Sequence, residues 1–169
     1  VIQKLGHGKS RAETRLGVFH FLGVMMYETI RVGDWVMKAD VEETRKQYEK
    51  DIEDMCECGN CLNYYEAVNE LPVEKFHVLE GLGLIPSQCT DINYHGIKDH
   101  LHFYIASYFI VGRIVEGKQE LNPERIDLSW HISFSEPLHQ IYIPKGFPKP
   151  IIQLDCVTLL PWVIDEPYE

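Results

Sequence analysis

Three observations predict an α+β fold with a mainly antiparallel sheet and three short helices inserted after the first strand. Leu128, Trp130, Ile132 and Phe134 alternate with Ser129, His131, Ser133 and Ser135, the period of a strand with one wet face. Residues 101 to 115 are dense in β-branched and aromatic side chains. Between residues 40 and 83, in contrast, apolar residues recur at spacings of three and four, punctuated by Asp, Asn, Pro and Gly at helix starts and stops. A strand, then helices, then at least three strands is the order of an α+β domain, not of alternating βα units.

The first strand is expected over residues 28 to 38, where Ile30, Val32 and Val36 are separated by Arg31 and Asp34. Asp40 stands three residues before Glu43, a capping box that opens a helix over residues 40 to 54. Val41, Thr44, Tyr48, Ile52 and Met55 form its narrow buried stripe, and the charged residues between them make a solvated face. Gly59-Asn60 interrupts that helix. Asn60 then caps a second helix beginning at Cys61, with Leu62, Tyr65 and Val68 turned inward. Pro72 starts a third, with Phe76, Leu79 and Leu82 inside and Gly81 and Gly83 as its stop. Beyond the alternating strand, Pro137 ends the pairing and Pro144 to Pro150 form a stiff connection. Ile152, Leu154, Cys156 and Thr158 then alternate into a last strand. The aromatics Tyr64, Tyr65, Tyr104, Tyr108, Phe109, Trp130 and Trp162 read as core or half-buried sheet residues.

At 169 residues and 45% apolar composition the chain is long enough for one domain with its own core. That domain is expected over residues 25–169, preceded by a weakly packed extension, residues 1–24, dispensable for folding. The apolar run from Leu16 to Met26 contains His20 and two glycines and falls short of the ~18 apolar residues that a membrane span needs. Neither export nor a membrane partner is expected. A formal net charge of −10, from 26 acidic against 16 basic residues, disfavours a nucleic-acid partner and suits a basic protein or a metal cation. The odd, clustered set of five cysteines points to reduced thiols in the cytoplasm rather than to a disulfide framework.

Three of those cysteines, Cys56, Cys58 and Cys61, fall in C-x-C-x₂-C spacing. Closely spaced thiolates suit tetrahedral zinc, and the fourth ligand would come from Cys89, His95, His100 or His102. His100 and His102 are two apart at a strand start, so both can point to one side. A second reading is dithiol redox chemistry at Cys58-Gly-Asn-Cys61, where a helix N-terminus would lower a thiol pKa; the box does not, however, follow a buried strand. The third reading is simple packing at a helix junction. No nucleophile elbow, Walker loop, dinucleotide fingerprint or H-E-x-x-H pattern occurs. The expectation is therefore a non-enzymatic binding or interaction module, with an acidic surface on helix 40–54 that could neutralise a basic partner. The alternative is a small zinc-binding or thiol-dependent enzyme built on the cysteine box.

The segments Trp35-Val-Met-Lys-Ala-Asp40, Cys58-x-x-Cys61 running into Asn63-Tyr64, Gly81-Leu-Gly-Leu-Ile-Pro86 and Leu160-Pro-Trp-Val-Ile-Asp165 together resemble a group of small bacterial proteins of unassigned activity. The resemblance covers about residues 27 to 165. It implies a bacterial origin and a single domain, and it carries no catalytic residues.

Overall fold

Sixteen residues rich in β-formers, Leu101–Glu116, make the longest strand, β5, and the rest of the sheet is laid along it. The computed structural model describes residues 2–4, 25–50, 55–118, 126–137 and 143–167. In chain order the elements are β1 (Ile2–Lys4), β2 (Glu28–Val32), β3 (Trp35–Ala39), α1 (Val41–Tyr48) and α2 (Gly59–Ala67). A 3-10 turn (Val68–Glu70), α3 (Val73–Gly81), β4 (Asp91–Lys98), β5, β6 (Trp130–Ser135) and β7 (Ile151–Leu160) follow. The fold is α+β. Its strands run in the order β1-β2-β3-β5-β7-β6, β4 also pairs with β5, and every pairing is antiparallel.

One edge of β5 is shared end to end. β4 pairs with Leu101 to Ser107 and β3 with Gly112 to Glu116, so between them β5 has no strand neighbour on that side. Buried backbone groups cannot be left open without a cost of ~1–3 kcal/mol each. The chain between the two strands supplies the partners. Asp40 N–H donates to Val111 C=O at 2.8 Å as β3 ends, and Thr90 N–H donates to Ser107 C=O at 2.8 Å as β4 begins. In between, the Tyr48 hydroxyl of α1 accepts from Phe109 N–H at 2.9 Å and donates to Phe109 C=O at 3.1 Å. Thr44 Oγ1 accepts from Val111 N–H at 3.0 Å and donates to Asp40 C=O at 2.8 Å. Two side chains of a helix thus stand in for a missing strand.

The inner face of the sheet carries Ile30, Met37, Tyr104, Tyr108, Ile110, Phe134, Ile152 and Leu154, each essentially inaccessible. At ~1.5–3 kcal/mol for each large apolar side chain buried, this layer and the helices on it are the main source of stability. Tyrosine hydroxyls buried there are all used. Tyr64 donates to Tyr108 at 2.7 Å, and Tyr108 donates to the Pro86 carbonyl at 2.6 Å. The sheet coils strongly, bringing the Trp35 ring on β3 to 5.6 Å from Phe134 on β6 although β5 and β7 lie between those strands.

Several boundaries differ from the sequence reading. The strand expected over 28 to 38 is a hairpin, because Gly33 takes φ +55° at the first position of a two-residue turn that separates β2 from β3. Helix α1 keeps the Asp40 cap, with Glu43 N–H donating to Asp40 Oδ1 at 2.9 Å, and its stripe of Val41, Thr44 and Tyr48 is buried. It ends at Tyr48 with Glu49 as C-cap, earlier than residue 54; residues 51 to 54 lie outside the described residues. The cap of α2 is Cys58, not Asn60, and the helix begins at Gly59. Its buried residues are Cys61, Asn63, Tyr64 and Ala67, with Leu62 and Tyr65 only half-buried, so the expected inner face is rotated. The bonds of Asn63 and Tyr64 to β5 fix that rotation. Strand β4 was absent from the sequence reading. Of the residues expected as an N-terminal extension, Ile2–Lys4 pair with β2, and residues 5 to 24 lie outside the described residues. Among the described residues no helix is long and apolar enough to cross a membrane.

This core sets the response to alkali. Burial pushes Tyr48, Tyr64 and Tyr108 above the ordinary phenol value of 10.0, raises Tyr104 to about 12, and lifts Cys89 and Cys156 above the ordinary thiol value of 9.0. Each group stays neutral in the folded chain and ionises more easily once unfolded, so on raising the pH the unfolded state releases protons first. Stability is expected to be level below the thiol value, to fall as pH rises through it, and to fall more steeply through the phenol value. Urea melts at a series of alkaline pH values read this directly. A flat profile to well above the phenol value would contradict the buried tyrosine network.

Candidate metal centre

The cysteine box occupies the start of α2. Cys58, with extended backbone (φ −70°, ψ 152°), is the N-cap, and its side chain makes no capping hydrogen bond. Cys61 lies one helical turn further on the same face. Cys56, two residues before the cap, folds back toward both, and the three Sγ atoms lie within 4.8 Å of one another. Cys56 and Cys58 are exposed and Cys61 is buried, so the group is open on one side only.

The sulfurs are not equivalent. The Cys58 backbone N–H, and then the Cys58 and Cys61 thiols, hydrogen-bond the Cys56 sulfur and hold it below the ordinary thiol value. Burial, reinforced by the Cys58 and Cys56 thiols, pushes Cys61 well up. The lowered thiol, Cys56, lies outside the C-G-N-C motif, where the sequence led one to expect it.

The surrounding residues fix the first turn of α2. Asn63 is fully buried and uses its whole amide: Nδ2 donates to Tyr104 Oη and to the Pro161 carbonyl, each at 3.0 Å, and Oδ1 accepts from Val163 N–H at 2.7 Å. This ties the segment after β7 to the helix. Trp162, held by Nε1 donating to the Glu166 carbonyl at 2.6 Å, lies against Gly59, whose missing Cβ would sit 3.7 Å from the indole edge. The indole also meets the His102 ring, with centroids 4.8 Å apart. The Tyr65 hydroxyl meets the Cys56 backbone, anchoring the segment that leads into the helix. Asn63 and Trp162 belong to motif segments singled out in the sequence, but their link to the box needed the fold. The readable signal was an Asn on a helix between apolar Leu62 and Tyr64.

None of the expected fourth ligands is in the group of sulfurs. Cys89 is buried, and its thiol is raised by desolvation. His102 is buried and accounted for: its Nδ1 shares a 3.0 Å hydrogen bond with Tyr94 Oη, its ring stacks on Tyr94, and desolvation lowers its pKa. His95 is exposed and its ring lies tilted against Phe103, with centroids 5.1 Å apart. His100 is exposed in the β4–β5 turn at φ +67°. A register shift between Tyr94 and Ile97 and the positive-φ turn at Asp99 and His100 reshape this end of the hairpin, so His100 and His102 do not share a strand face. Among the described residues, Cys56, Cys58 and Cys61 form the one group of three or more metal-ligating side chains.

The described part of the helix expected to be acidic, residues 40–50, sets Asp40, Glu42, Glu43 and Glu49 against Arg45, Lys46 and Lys50, and Asp40 is buried as the cap. Glu42 pairs with Arg45 at 3.0 Å and Glu43 with Lys46 at 4.0 Å. No protein-family model matches this chain, and no curated protein or solved structure matches it either.

Replacing Asn63 with Leu is expected to destabilise the protein by about 2–3 kcal/mol, because it deletes three hydrogen bonds and leaves buried partners open. Limited proteolysis should then cut the segment after β7 faster than in the parent. Unchanged stability and unchanged cleavage would show that Asn63 does not tie the two together.

Proposed function

We propose that this is a small metal-binding protein in which Cys56, Cys58 and Cys61 hold a soft or borderline cation, zinc first among them. The observation that carries this reading is the convergence of three sulfurs within 4.8 Å. With Zn–S bonds of ~2.3 Å, thiolates on a tetrahedral ion stand about 3.8 Å apart, so small side-chain rotations bring the box onto the ion. Exposure of Cys56 and Cys58 gives the cation a path in, and burial of Cys61 places one ligand on the rigid helix. The net charge of −10 further favours a cation. The role is binding, and no reaction is assigned to the site.

Cobalt substitution tests the ligand set. Cobalt(II) added to reduced protein should give a sulfur-to-metal charge-transfer band together with the intense visible bands of a four-coordinate ion, and zinc should displace both. Weak visible bands without charge transfer would place the metal on oxygen or nitrogen ligands and overturn the thiolate site.

A further inference from the structure

We propose that the cysteine box is also a thiol switch, in which a hydroperoxide closes Cys58 and Cys61 into a disulfide and bound cation blocks that closure. The inference rests on the cation reading above for its second half only. Cys58 Sγ is exposed at the N-cap and unused in capping, so an oxidant reaches it from solvent. Cys61, one turn along the same face, is sheltered but lies within 4.8 Å of it. A disulfide needs the two sulfurs at ~2 Å, so closure asks for a side-chain rotation at Cys58, on the exposed side of the box. Asn63 and Trp162 hold the turn that carries both residues, so the pair stays in register while it reacts.

The chemistry balances with the peroxide as sole oxidant. The Cys58 sulfur attacks the terminal peroxide oxygen, the O–O bond breaks, and the leaving alkoxide or hydroxide takes up the proton that Cys58 gives up. This gives a sulfenic acid and an alcohol or water. The Cys61 sulfur then attacks the sulfenic sulfur and the S–O bond breaks, the departing hydroxide taking up the Cys61 proton and leaving as water as the S–S bond forms. Two thiols have lost two electrons and two hydrogens, and the peroxide has been reduced. An external dithiol reverses the step by exchange. A cation on the same sulfurs occupies the lone pairs that both attacks need, so binding and oxidation exclude each other.

The test treats the full chain with stoichiometric hydrogen peroxide, metal-free and zinc-saturated, after metal content has been measured. Readouts are intact mass and peptide mapping after alkylation. The expected result is loss of two hydrogens in the metal-free protein, mapped to Cys58–Cys61 and restored by dithiothreitol, with closure at least about tenfold slower when zinc is bound. A Cys58→Ser variant should not lose the two hydrogens. Zinc binding without the Cys58–Cys61 disulfide, or a disulfide mapped to Cys56, overturns the switch and leaves the metal site standing. Equal rates with and without bound zinc overturn the block. Absence of zinc binding overturns the cation reading and the block with it, and is seen in the metal analysis before peroxide is added.

Discussion

Replacing Tyr48 with Phe will cost the fold about 3 kcal/mol, although only one oxygen is removed. That oxygen satisfies both Phe109 N–H and Phe109 C=O on the stretch of the β5 edge that neither β3 nor β4 covers. The ring remains and packs as before. The two backbone groups remain buried under α1, where water cannot replace the lost partner, so each contributes its own desolvation cost. For a chain of this size the melting temperature should fall by about 6–12 °C. Adding Thr44→Val, which opens Val111 N–H as well, should deepen the loss, and the two effects should couple because they act on neighbouring groups of one strand edge. Guanidinium melts of both single variants and the double measure this. A loss below about 1 kcal/mol for Tyr48→Phe would mean that the gap closes in some other way.

The second large effect concerns the box. Exchange of Cys58 and Cys61 for Ser should lower zinc affinity by well over a hundredfold, since losing a mere supporting partner of a metal ligand already costs about 10–100-fold. Serine hydroxyls are protonated at neutral pH and make poor zinc ligands, and Cys56 alone cannot hold the ion. Competition against a chromophoric chelator reads the change directly. Because Cys61 is buried and Cys58 is exposed, the two substitutions should differ in another respect. Cys61→Ser should also lower stability without metal by placing a hydroxyl in an apolar site, whereas Cys58→Ser should leave it within about 0.5 kcal/mol.

The sequence made some of this architecture legible and hid the rest for identifiable reasons. The stripe of α1 and the long strand were readable because burial follows a single period there. Strand β4 was not, because the alternation of Ile92 and Tyr94 with Asp91, Asn93 and His95 is only five residues long and breaks at Gly96, where the register shifts between Tyr94 and Ile97. The hairpin of β2 and β3 was read as one strand because its turn is only two residues long and apolar residues flank it closely. Helix α2 faced a different way than its apolar spacing suggested, because Asn63 and the hydroxyl of Tyr64 turn inward to meet Tyr104, Tyr108 and the segment after β7. Such polar pairings between residues far apart in the chain leave no periodic trace. The same limit applies at the site. Three cysteines within six positions were visible at once, whereas Cys89, His95, His100 and His102 qualified only by residue type, and none of them joins the group of sulfurs.

Zinc stoichiometry is the most direct measurement of the central claim. Reduced protein dialysed against limiting free zinc and analysed for metal should retain close to one zinc per chain, and a variant with Cys56, Cys58 and Cys61 all changed to Ser should retain none while keeping its far-ultraviolet circular dichroism. Protein that stays metal-free under those conditions, or a triple variant that holds zinc as well as the parent, would contradict it.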